Sequence, residues 1–133
     1  SGGNVVKIGE VLRSVRPGFQ VLAGGAGFLL PALSMGAVGG ILALSNIAPA
    51  QCIEIYRLFL AGDIANSRAL QHKMIPVNAA VTARWGVPAL KAAMDHLGLY
   101  GGPARRPLLP LKNDIMEQLL KLISDSEIKQ FPR

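Results

Sequence analysis

Between Pro17 and Ile53 the chain carries no charged side chain, and two short apolar runs lie in that stretch, Phe19 to Ala23 and Ile41 to Ser45, each beside a cluster of glycines. Runs of this length, apolar without alternation, are the pattern of parallel strands buried on both faces. Glycines at their ends let the backbone come close to something else, so they mark a candidate site. Gly24-Gly25-Ala26-Gly27 follows the first run, and Phe28 to Met35 has room only for a short helix. Gly36-Ala37-Val38-Gly39-Gly40 leads into the second run, which ends at Ser45-Asn46, and Pro49 suits the first turn of a following helix. The order is strand, helix, strand, helix. Parallel strands alternating with helices bind ligands at the carboxyl ends of the strands, in an open doubly wound sheet or a closed eight-fold barrel.

The glycines do not form a nucleotide cradle. No G-x-G-x-x-G directly follows either run, and G-x-x-x-x-G-K-[ST] is absent. The net charge of +6 does not point to nucleic acid either, because the cations are dispersed. Lys7, Arg13 and Arg16 fall opposite Val5, Ile8, Leu12 and Val15 on a first helix, and the later cations sit near Asp63, Asp95, Glu117 and Asp125. With aromatics at only 5%, solvated helix faces account for these charges better than a phosphate-tracking stripe.

The uncharged stretch is long enough for a spanning helix of about 20 residues, so a membrane-embedded helical hairpin is the rival reading. Pro31 in its middle, the paired glycines, Gln20 and the closing Ser45-Asn46 all weaken such a helix. Ser1-Gly2-Gly3-Asn4 also lacks the basic region and apolar core of a signal peptide.

The rest of the chain reads as helical. Ala50 to Leu60 carries Ile53, Tyr56, Leu58 and Leu60, then Gly62-Asp63 supplies a stop and an N-cap. A long helical stretch runs towards Arg84, with a kink or break expected at Pro76. Gly86-Val87-Pro88 opens another helix that ends near Gly98. A turn at Tyr100 to Pro103 and a proline-bracketed segment from Arg105 to Leu111 precede a last amphipathic helix built on Ile115, Leu119, Leu122 and Ile123.

Few side chains here are suited to chemistry. Cys52 is the single cysteine, in an apolar helix beside Ile53 and Ile55, and reads as a buried structural thiol. His72 and His96 have no partner at metal-ligand spacing, and no metal site is expected. Trp85 reads as core. No pair of carboxylates is placed for general acid and base work, so catalytic groups belong elsewhere.

Several motifs in this order and spacing carry a family resemblance. They are Ser1-Gly2-Gly3-Asn4, Phe19 to Gly24, Gly36 to Ile41 with Asn46, Leu70-Gln71-His72-Lys73, Asn78 to Thr82, and Gly101-Gly102-Pro103-Ala104-Arg105-Arg106-Pro107-Leu108. On these the chain resembles the carboxyl-terminal part of the dihydrodipicolinate synthase and N-acetylneuraminate lyase family, nearest its 4-hydroxy-2-oxoglutarate aldolase branch. These are Schiff-base class I aldolases built on a (β/α)8 barrel, an α/β fold. The resemblance implies that residues 1–62 are the last two barrel units, strands seven and eight with their helices. Residues 63–133 would then be a carboxyl-terminal helical region continuous with the barrel.

The same resemblance implies a reaction. A lyase or aldolase of this kind handles pyruvate, or a hydroxy-oxo acid that yields it, through a lysine imine and without a cofactor. The imine lysine would end strand six, two residues before Ser1, and the proton-relay tyrosine and the carboxylate-gripping loop would belong to earlier strands. The present chain would then hold no catalytic residue and be inactive alone, since such barrels run to about 250 residues. Four positions would bind substrate. Ser1 would offer its hydroxyl near the imine, Gly24 its backbone after strand seven, and Ile41 its carbonyl at the start of strand eight. Gly25, where relatives can carry a polar side chain, would favour a small substrate. On the residues alone, the preferred reading is that Gly24 and Gly25 make a plain turn and that Ile41 is core. The family also implies a cytoplasmic homo-tetramer, mitochondrial for a eukaryotic 4-hydroxy-2-oxoglutarate aldolase, with no nucleic-acid or membrane partner. A non-catalytic assembly fragment is the remaining alternative. Composition fits a piece of a larger core: 50% of residues are hydrophobic, 17% are charged, and the mean hydropathy is +0.36.

Overall fold

The computed structural model describes residues 2–131. In chain order the elements are α1 (Val5–Ser14), β1 (Leu22–Ala23), α2 (Leu29–Ser34), β2 (Gly39–Gly40), α3 (Pro49–Leu60), α4 (Ile64–Ala79), α5 (Gly86–His96) and α6 (Asn113–Asp125). Single 3₁₀ turns cover Ala26–Phe28 and Ala43–Asn46, and a π turn covers Ala80–Arg84. The strands pair in parallel, Leu22 opposite Gly39 and Ala23 opposite Gly40. Val38 N donates to Val21 O at 2.9 Å and Ile41 N to Ala23 O at 2.8 Å, so the ladder reaches one residue past each end.

The strands are shorter than the apolar runs, and the second is displaced. Of Phe19 to Ala23 only the last two residues are strand; Phe19 is 54% exposed and closes a turn on Arg16. The second strand lies in the glycines before Ile41 to Ser45, whose later residues wind into the 3₁₀ turn. The cause is steric. A Cβ on Gly40 would stand 3.1 Å from Ala23 O and 2.6 Å from Leu42 Cδ2, so the tight pairing is made where side chains are missing. Leu42 and Leu44 are apolar because they are buried, not because they are extended.

Two strands of this length are not stable by themselves. They are held by α2, α3 and α4: fully buried Ile55, Met74 and Val77 of α3 and α4 form one core with Leu44 and Ile47, in and just after the second 3₁₀ turn, and with Leu97 and Leu119. Helix α3 starts at Pro49 as its sequence requires, but its buried face is Cys52 and Ile55, flanked by Tyr56 and Phe59. Ile53 and Leu60, expected on that face, are each 65% exposed. Residues 52, 55, 56 and 59 share one side of a 3.6-residue helix, and position 53 faces away from it.

Asp63 caps α4, accepting from Asn66 N at 3.2 Å, directly after Gly62 in the left-handed region at φ +78°. The helix passes through Pro76 without stopping and widens into the π turn four residues later. Pro76 and His72, whose carbonyl loses a donor there, are both exposed, so the helix interior is not left unsatisfied. Among the described residues no helix is long and apolar enough to cross a membrane, and the uncharged stretch is broken into short elements.

Candidate functional site

At the carboxyl end of β1 the chain turns sharply at Gly24 and opens a cleft of about 410 Å³. Gly24 lines it with Gly2, Gly3, Asn4, Lys7 and Phe28. Two local devices bring the amino-terminal segment to this place. Asn4 Oδ1 accepts from Lys7 N at 3.0 Å and fixes the entry to α1. The Phe28 ring packs beneath Gly3 and Gly25; a Cβ on Gly25 would lie 2.8 Å from Phe28 Cε1. Lys7 is the charged residue among those lining the cleft, so an anion entering it meets a cation and no carboxylate.

The four expected substrate contacts separate here. Ser1 lies outside the described residues. Gly24 is exposed in the cleft wall, and Gly25 is half-buried against Phe28. Ile41 is 75% exposed, and it lies past β2 without lining this cleft. Phe28 was not singled out from sequence, although an aromatic following three glycines in five residues was the available signal.

A second, apolar cleft of about 510 Å³ lies on the other side of Leu22, between Val38, Gly40, Ser45, Cys52 and Tyr56. Ser45 gives its hydroxyl to Leu42 O at 2.6 Å and is thereby occupied. Burial pushes the Cys52 thiol up to about 11. At pH 8 its thiolate fraction is then smaller than that of an ordinary cysteine by about a hundredfold. Alkylation by iodoacetamide should be at least about tenfold slower in the native protein than in urea. Equal rates would show Cys52 to be an accessible, activated thiol.

The remaining perturbed groups belong to the surface. Arg57 forms a two-pronged pair with Glu54 at 2.7 Å on each prong and holds that carboxyl below its usual range. Asn66 does the same for Asp63, and Lys73, 2.8 Å away, for Glu127. None of the three lines the cleft. His72 and His96 are exposed, and no three His, Cys, Asp or Glu side chains among the described residues are grouped to hold a metal.

The comparisons with known proteins agree with each other. The model of the dihydrodipicolinate synthetase family matches residues 1–126. The 4-hydroxy-tetrahydrodipicolinate synthase of Nitratidesulfovibrio vulgaris (strain DP4) is 32% identical over 126 residues, 95% of this chain and 43% of that protein. Among solved structures, the same-named enzyme of Methylacidiphilum fumariolicum SolV superposes with a TM-score of 0.87 at 28% identity, over 96% of this chain and 42% of that one. A dihydrodipicolinate synthase of Bacillus anthracis gives 0.87 at 26% identity, over 99% and 44%. The chain thus spans less than half the length of the relatives it matches. Its two β/α units and the helices after them are the closing part of a (β/α)8 barrel with its carboxyl-terminal extension. By fold and sequence together, the chain belongs to the dihydrodipicolinate synthetase family.

Proposed function

We propose that the chain is the carboxyl-terminal part of a Schiff-base lyase or aldolase acting on pyruvate or a pyruvate-yielding hydroxy-oxo acid. The observation that carries this reading is the cleft at the carboxyl end of β1, where barrel enzymes bind substrate, walled by Gly24 and the Gly2 to Asn4 segment and bearing one cation. The imine lysine is assigned to a position two residues before Ser1, in a longer polypeptide. Its amine adds to the substrate ketone with loss of water, and the protonated imine takes up the electron pair as the carbon–carbon bond breaks. The residues of this chain hold the substrate in line with that imine, which is a positioning task. Gly24 offers backbone in the cleft wall, Ser1 its hydroxyl and Ile41, from outside this cleft at the start of strand eight, its carbonyl, while glycine at position 25 withholds the hydrogen bond that a polar side chain there would give a distal substrate group, which suits a small substrate.

The chain is divided at Gly62 and Asp63, with barrel units in 1–62 and the helical region in 63–133. The whole enzyme is assigned as a homo-tetramer of the cytoplasm, or of mitochondria for a eukaryotic 4-hydroxy-2-oxoglutarate aldolase.

Borohydride reduction in the presence of pyruvate tests this. The longer polypeptide should gain one reduced pyruvyl group by intact mass, and the 133-residue chain none. No gain on the longer polypeptide overturns the Schiff-base reading. A gain on the 133-residue chain moves the nucleophile to Lys7, Lys73, Lys91, Lys112, Lys121 or Lys129.

A further inference from the structure

Helix α4 is long and central, yet its buried side is not uniformly apolar. Ser67, Gln71 and Met74 are all nearly inaccessible, at 0%, 3% and 0% exposure, and two of the three are polar. Positions 67, 71, 74 and 78 follow the three- and four-residue spacing of one helix face, so the polar groups form a seam along it. A buried amide is costly unless it is hydrogen-bonded, and Gln71 is bonded at both ends. Its Oε1 accepts from Leu30 N at 3.0 Å and its Nε2 donates to Ala26 O at 2.8 Å. These partners lie 41 and 45 residues away in sequence.

The two backbone groups that Gln71 holds bracket the segment after the site glycines. Ala26 opens the 3₁₀ turn directly after Gly24 and Gly25, and Leu30 is in the first turn of α2. The first amides of a helix have no partner within it. Neither turn is capped locally, because the cap positions are Gly25 and Phe28 and neither gives a side-chain bond. Through Oε1, Gln71 therefore supplies from another helix the acceptor that a local serine or aspartate would otherwise give to Leu30 N, and through Nε2 it adds a bond to the Ala26 carbonyl. The same face of α4 touches the loop again at Asn78, whose Nδ2 would stand 3.0 Å from a Cβ on Gly27. Asn78 Oδ1 is buried there without a hydrogen-bond partner, so Asn78 packs against the loop while Gln71 binds it.

From this we infer that Gln71 is the positioning residue of the cleft: it touches no substrate, and it fixes the Gly24 to Phe28 loop on which the cleft wall depends. The inference rests on the reading of the cleft as the substrate site. It adds to that reading a determinant in the helical region, outside the barrel units.

The test uses the longer polypeptide, with Gln71→Met against Ser67→Ala. Ser67 is the other buried polar residue of the seam, and it gives its hydroxyl to Ile55 O at 2.9 Å, away from the glycine loop. Both variants lose buried hydrogen bonding from the same face of the same helix. Gln71→Met should lower kcat/KM for pyruvate-dependent turnover by about ten- to a hundredfold, because small displacements of positioning groups are felt at that scale. It should also speed amide hydrogen exchange at Leu30 and through Gly24 to Phe28 relative to the rest of the protein. Ser67→Ala should leave both unchanged. If Gln71→Met does not fold, Gln71→Asn keeps the amide but is one methylene too short to reach both partners, and should show the same pattern in weaker form. Kinetics and loop exchange equal to wild type in the Gln71 variants overturn the inference while imine trapping stands. Equal losses in the Gln71 and Ser67 variants overturn it as well, since they show a general effect of stability. Should the wild-type enzyme trap no pyruvate, the substrate reading fails, and Leu30 exchange alone decides whether Gln71 holds the loop.

Discussion

Gly101→Ala is expected to destabilise the protein by more than about 3 kcal/mol, seen as a loss of soluble protein or a large fall in the urea midpoint. The ideal Cβ would lie 2.0 Å from Lys91 O, 2.7 Å from its carbonyl carbon and 2.9 Å from its Cα. All three are backbone atoms in the middle of α5, so no side chain can swing aside, and the helix or the turn has to move. Overpacking usually costs about 1–3 kcal/mol where side chains yield, and the top of that range is a lower bound here. Moving the turn also breaks its fastening. Asp95 Oδ1 accepts from Gly101 N at 2.8 Å and from Gly102 N at 3.3 Å, and Lys91 Nζ donates to Gly101 O. Gly62→Ala is the matched control: its φ is +78°, but nothing lies within 4 Å of its Cβ. It should lose only the left-handed penalty of about 1–2 kcal/mol. A Gly101 variant no worse than the Gly62 variant would mean that the turn does not seat on α5 this closely.

Helix boundaries were legible in the sequence wherever a single residue acts on its own neighbours. Pro49 opens α3, and Gly62 with Asp63 ends one helix and starts the next, both through contacts within a few residues. Helix α6 was legible because its apolar positions repeat cleanly; Leu119 and Ile123 are buried as expected. The strands were legible only at the end of the first run, Leu22 and Ala23, since a parallel pair is defined by a distant partner. What brings Leu22 beside Gly39 is the absence of a side chain at Gly40, and hydrophobicity pointed to the neighbouring Leu42 and Leu44 instead. Helix α3 misled in the same way, because Ile53 and Leu60 are as apolar as Ile55 but face outward.

The candidate site was half legible for related reasons. Glycines at the end of a strand announce a close approach, which brought Gly24 forward. Phe28 and Gln71 act across the fold, and no local pattern shows an amide reaching a carbonyl 45 residues back. The polar seam of α4 even lowered its contrast as an amphipathic helix, so its part in holding the cleft was hidden by the residues that perform it.

Gly24→Val, in the longer polypeptide, should lower kcat/KM by about an order of magnitude or more while leaving the melting temperature within a few degrees of wild type. Gly24 is not among the left-handed glycines of the described residues, so a side chain there meets no left-handed penalty. It is also exposed, so valine displaces no core atom and the usual surface effect of about 0.5 kcal/mol applies. What valine does is fill space. Gly24 lines a cleft of about 410 Å³ with Gly2, Gly3 and Phe28, where the substrate is assigned, so the expected effect of the added branched carbon is lost substrate space. Alanine adds one methyl and should stay within about threefold of wild-type kcat/KM, so the series glycine, alanine, valine reads bulk alone. Trapping with borohydride separates the steps: if valine blocks entry, less imine forms at a given pyruvate concentration, and saturating pyruvate restores part of it. A valine variant with wild-type kinetics and stability would remove Gly24 from the substrate site and the carboxyl end of β1 with it. A variant that loses melting temperature in step with activity would assign this glycine to the turn instead.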